Sequence, residues 1–108
     1  MIKGYLGDVC LNGKLLKNHI IYIDSEGKVK SIIPFSCECE GIILCDQVIA
    51  IVKFETVSST QKVAKLKEEY NNSDSYSSFF KTPSYIEYGA TDADGASFIE
   101  LGNTKSLL

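Results

Sequence analysis

The chain has 108 residues, 44% of them hydrophobic and 23% charged, and carries a net charge of −3. That composition fits one globular domain, long enough to withdraw roughly two-thirds of its unfolded surface from water. An acidic balance with a pI near 5.1 argues against nucleic acid as the partner, and the longest apolar run, Val48-Ile49-Ala50-Ile51-Val52, is too short to span a bilayer.

In chain order, Met1-Ile2-Lys3-Gly4 has one charge and no apolar block behind it, so it does not read as a secretory signal. The expectation is a cytoplasmic protein with reduced thiols, without a membrane partner. Residues 2–35 read as a strand meander. Apolar and polar residues alternate on either side of Asn12-Gly13, a pair that tolerates the positive φ of a two-residue type I′ turn. Val9–Leu11 is then expected to pair with Leu15-Leu16. Ile21 and Ile23 face one way and Ile20 and Tyr22 the other, as in a strand buried on both faces. A second turn at Ser25-Glu26-Gly27 leads to a third strand, and Pro34 ends the pairing because it lacks an N–H.

Ser36 to Gly41 reads as a loop. Residues 42–57 are the most strand-prone region, either two strands, Ile42–Leu44 and Val48–Phe54, or one strand bulged near Asp46. A helix over about 60–70 is signalled by the hydroxyls of Ser58, Ser59 and Thr60 as N-caps, with Val63, Leu66 and Tyr70 at helical spacing. The polar run 71–78 reads as a mobile loop. Residues 84–101 read as a hairpin, Tyr85–Tyr88 and Ser97–Leu101 flanking Asp92-Ala93-Asp94-Gly95, and residues 102–108 as a fraying tail. Together these elements predict a β-rich α+β domain: six to eight short, mainly antiparallel strands forming a sandwich or roll, with one amphipathic helix packed across the sheet.

Residues that could carry chemistry are few. The cysteines are Cys10, Cys37, Cys39 and Cys45, and His19 is the sole histidine. Zinc sites use pairs of thiolates two to four residues apart, whereas this chain has one Cys37-x-Cys39 and no second pair. Glu38 and Glu40 beside those thiols oppose their ionisation and therefore their nucleophilicity. Asp92-Ala93-Asp94-Gly95 alternates carboxylates like the start of a calcium loop, but lacks the third oxygen ligand before the glycine and the later glutamate. No phosphate loop or Gly-x-Ser-x-Gly elbow occurs. No catalytic, cofactor-binding or metal residue is assigned, and no cofactor is expected.

The run Leu11-Asn12-Gly13-Lys14, Ile20-Ile21-Tyr22-Ile23-Asp24, Glu26-Gly27-Lys28-Val29, Ser31-Ile32 and Pro34 resembles the N-terminal strands of amidohydrolases, the metallo-dependent hydrolases related to dihydroorotase and cytosine deaminase. The resemblance covers about the first half of the chain and implies a small β-sandwich composite domain of the kind that flanks a catalytic barrel. Where that family continues into a Pro-Gly turn and a His-x-His metal pair, this chain has Cys45-Asp46-Gln47-Val48-Ile49-Ala50. None of the family's catalytic residues maps onto it. The resemblance thus implies the fold without the activity.

The function expected is a non-enzymatic interaction module, binding another protein or itself as a homodimer through a face within Ile42 to Phe54. Tyr70, Tyr76, Phe79, Phe80, Tyr85 and Tyr88 are candidate interface anchors, with closure of the core by Phe79 and Phe80 as the competing expectation. The alternatives are an accessory domain acting beside a separate amidohydrolase-like subunit, and a small metal or thiol site built on the cysteines.

Overall fold

The computed structural model describes residues 3–36, 41–54 and 60–106. Six strands form one mixed sheet, β1 (Lys3–Leu11), β2 (Lys14–Ile23), β3 (Val29–Pro34), β4 (Ile42–Leu44), β5 (Val48–Val52) and β6 (Ser97–Gly102), accompanied by helices α1 (Thr60–Asn72), α2 (Tyr76–Phe79) and α3 (Pro83–Tyr88). The sheet order is β3-β2-β1-β5-β6, with β4 also pairing β1.

The meander forms as its turns dictate. Asn12 and Gly13 have φ of 55° and 71° and join β1 to β2 in the antiparallel register Val9↔Leu16, Cys10↔Leu15, Leu11↔Lys14. At the second turn the Asp24 carboxylate does work that the sequence pattern alone does not reveal. Its Oδ1 accepts the N–H groups of Glu26 (2.9 Å) and Lys28 (3.0 Å) while Gly27 takes φ 80°. Those bonds, the one from Lys28 foremost, favour the ionised carboxylate and lower its pKa.

Past β3 the chain crosses back over the meander, so that β4 and β5 both run parallel to β1. The sheet, expected to be mainly antiparallel, is therefore mixed: β4 and β5 join the free side of β1 in the same sense as β1, not antiparallel to it as in a Greek key. β4 takes the first half of β1 and β5 the second; the two expected strands of this region are present, ending at Leu44 and Val52, while 55–57 lie outside the described residues.

The sheet rolls until its outer strands meet. The Val29 N–H donates to the Ala96 carbonyl (2.7 Å), the Gly95 N–H donates to the Val29 carbonyl (3.1 Å), and Lys28 bridges Ser97. Alternation along the strands then sorts the apolar residues into two cores. Inside the roll lie Val9, Ile21, Ile23, Val29, Ile49 and Ile51, closed at one end by Ala90 and Ala96. Against the outer face, Cys10, Val48, Ala50 and Val52 pack under Leu66 and Tyr70 of α1, Tyr76 and Phe79 of α2 and Tyr85 of α3. Each fully buried valine or isoleucine contributes about 1.5–3 kcal/mol by leaving water.

Four expectations need correction. Residues 71–78 are not a mobile loop: α1 runs on to Asn72, and Ser75 then caps α2, its Oγ accepting the Ser78 N–H at 3.2 Å. The serines that lower hydrophobicity here satisfy helix ends, and Tyr76 between them is buried. Residues 84–101 are not a hairpin. Pro83 starts a helix at Thr82, where its missing N–H is no loss, so Tyr85–Tyr88 is helical and only Ser97–Gly102 is a strand, paired with β5. The single expected helix is joined by two shorter ones. Of the six aromatics expected as interface anchors, four lie in the core, and Phe80 and Tyr88 pack partly buried against it. Tyr70, Tyr76, Phe79 and Tyr85 are buried, with ring centroids 5.0 Å apart for both Tyr70–Phe79 and Phe79–Tyr85.

Candidate interaction site

β4 is the place where the sheet stops short. Its three residues pair with β1 as Gly4↔Ile42, Tyr5↔Ile43 and Leu6↔Leu44, and among the described residues no strand pairs with its other side. The direction of its peptide groups follows from one bond. The Cys45 N–H donates to the Leu6 carbonyl at 2.8 Å, so alternation turns the groups of Ile43 toward β1 and those of Ile42 and Leu44 outward. Two N–H donors and two carbonyl acceptors thus form an open strand edge.

The side chains at this edge are apolar and poorly covered. Leu44 is 76% exposed and Ile43 45%. Leu44 lies in register with Leu6, Ile20 and Ile33, which places a row of aliphatic residues across the outer faces of four strands. Ile33 and Phe35, at its far end, are exposed as well. Gly4 permits β4 to sit close: a Cβ there would fall 2.6 Å from Ile42 Cδ1 and 3.0 Å from a Tyr22 ring carbon.

A cleft of about 130 Å³ with a mixed polar and apolar lining adjoins Leu44. Two irregularities at the same level create it. β1 and β2 slip register between Gly7 and Val9, where Asn18 adopts φ 55° and its N–H donates to Asp8 Oδ1 at 3.1 Å. Opposite, Cys45-Asp46-Gln47 separates β4 from β5. Asp8, Asn18, Asp46 and Thr104 line the space between. It offers hydrogen-bonding groups directly beside the open edge.

The residues singled out for possible chemistry are scattered. Cys10 is enclosed in the outer core, and burial, reinforced by Asp8, pushes its thiol up to about 12. Cys45 is half-buried with Sγ 3.5 Å from the Gln47 carbonyl and 3.7 Å from Glu100 Oε1; burial, together with the Glu100 charge, raises its pKa. Neither thiol is activated as a nucleophile. His19 donates through Nδ1 to the Lys17 carbonyl at 2.9 Å, a bond within its own strand. Asp92 is engaged by Lys53 at 2.7 Å, an ion pair that holds its carboxyl below the usual range and occupies the group a calcium ion would need. Among the described residues, no three histidine, cysteine or carboxylate side chains converge as a metal site. Cys37 and Cys39 lie outside the described residues.

Sequence reasoning missed Asp8, Asn18 and the uneven fate of its strongest β region. Asn18 carried the only usable signal: an asparagine inside a strand pattern is a residue that tolerates the left-handed conformation a bulge requires. Comparison with protein-family models, curated proteins and solved structures found no match.

Proposed function

We propose that this chain is a non-enzymatic interaction module that binds another polypeptide by adding a strand to the edge of β4. The carrying observation is the coincidence, at Ile42–Leu44, of outward-facing peptide groups with the most exposed large apolar side chain of the described residues, Leu44. Strand addition supplies affinity through main-chain hydrogen bonds and specificity through alternate side chains, and both are on offer here. The raised thiol pKa values of Cys10 and Cys45 favour a binding role over a catalytic one. No helix of the described residues is long and apolar enough to cross a membrane. The free thiols of Cys10 and Cys45 support a reducing compartment such as the cytoplasm as the setting.

The test compares immobilised wild-type chain with a Leu44→Lys variant, each offered both purified untagged chain and lysate of the source cells. Wild type is expected to retain a polypeptide, a second copy or another protein, that the variant loses while keeping its native circular dichroism. Equal retention by the two proteins overturns the reading.

A further inference from the structure

We infer that the strand added at β4 is the β4 of a second copy, paired antiparallel about a two-fold axis through Ile43; the inference rests on the strand-addition reading above. The open edges of the sheet differ in what they can accept. β3 carries Lys30, is preceded by Lys28 and ends in Pro34, which has no N–H to contribute, and Lys28 and Val29 at its start are already held by Ser97 and Ala96. The β4 edge has none of these obstacles. From Gly41 to Cys45 it contains no charged side chain, in a protein whose net charge of −3 discourages most self-contacts.

The direction of the peptide groups selects one register. With Ile43 opposite its own symmetry mate, Ile42 faces Leu44 of the other copy and Leu44 faces Ile42. These are the residues whose N–H and C=O groups point outward, so each of the two pairs closes both of its hydrogen bonds, as in the narrow pairs of an antiparallel ladder. Centring the contact on Leu44 would leave only the Leu44 pair bonding itself and would bring Ile42 against Asp46. The Ile43-centred register joins every aliphatic side chain of one edge to an aliphatic side chain of the other. It also extends the outer row Ile33–Ile20–Leu6–Leu44 into the second molecule, as an isologous contact requires.

Ile43 and its mate form a non-hydrogen-bonded pair, with Cα atoms about 4.5 Å apart, close enough for a disulfide. The experiment places a single cysteine at Ile43 or at Leu44 in a background carrying Cys37→Ser, Cys39→Ser and Cys45→Ser, leaving only Cys10, which is buried. Both proteins are oxidised mildly at equal concentration, and the wild-type mass is followed by light scattering from dilute to millimolar protein against the 11.9 kDa monomer. The expected result is at least tenfold faster covalent dimerisation for Ile43→Cys than for Leu44→Cys, with a wild-type mass that climbs toward twice the monomer. Random collision gives the opposite order, because Leu44 is the more exposed residue. Faster Leu44→Cys cross-linking, or a wild-type monomer at every concentration, overturns the self-pairing. With self-pairing overturned, the strand-addition reading is then decided by whether wild type, and not Leu44→Lys, retains a different protein from the lysate.

Discussion

β4 and β5 are consecutive, aliphatic and parallel to the same strand, yet they meet opposite surroundings. Every residue of β5 is 0% exposed, flanked by β1 and β6, covered outside by the helices and inside by the roll. Among the described residues β4 has a neighbouring strand on one side alone, and Leu44 is largely exposed. Hydrophobicity alone therefore does not place a strand in the core. What separates them is the turn at Cys45-Asp46-Gln47, after which the chain passes beneath the helices, and the arrival of β6, which pairs β5 from Val48 to Val52 and goes no further toward β4.

The comparison is broken most severely by shortening a β5 side chain. Ile51→Ala is expected to lower the unfolding free energy by about 3 kcal/mol, because the roll interior cannot collapse around the lost carbons. Urea unfolding should show the midpoint falling with the slope unchanged. For the same reason a charge at Ile49 or Ile51 is expected to unfold the protein and report nothing about association; of the stretch Ile42 to Phe54 expected to self-pair, β5 is enclosed while Ile43 and Leu44 are exposed.

A second, smaller effect comes from Cys10, which is buried opposite Ala50 in the β1–β5 ladder. Its folded pKa, about 12, exceeds the ordinary value of 9.0. The folded state thus keeps a proton that the unfolded chain releases, and the stabilisation, complete below pH 9.0, is lost as pH rises through that window. Between about pH 9 and 10 the unfolding free energy should decline by up to about 1.4 kcal/mol per pH unit, and Cys10→Ala should flatten that slope. At the other extreme, Leu44→Ala is expected to shift stability by less than about 0.5 kcal/mol in the same urea assay, since little apolar surface is buried there to be lost.

Much of this fold was legible because its signals are local. Asn12-Gly13 defined the first hairpin and its register, and the helical spacing of Val63, Leu66 and Tyr70 located α1, of which Leu66 and Tyr70 are buried and Val63 is half-buried. The parallel placement of β4 and β5 was not legible, because sense depends on the path of a crossover and leaves no mark in strand composition. Tyr85–Tyr88 misled for a related reason: two tyrosines and an isoleucine suit a strand, yet Pro83 and the bond from Ile86 N–H to the Thr82 carbonyl commit them to a helix. The candidate site was half legible. Asp46 was recognised as an interruption, whereas the exposure of Leu44 depends on where β6 stops.

The closure of the roll, made by Val29 with Gly95 and Ala96, also governs the order in which the molecule assembles. The meander can zip from its own turns, but this seam joins segments with most of the chain between them, and its loop-closure cost is met only after α1 to α3 have returned the chain to the sheet. The seam is therefore expected to form late, and hydrogen exchange at the Val29 and Gly95 amides that is faster than at the β5 amides checks this.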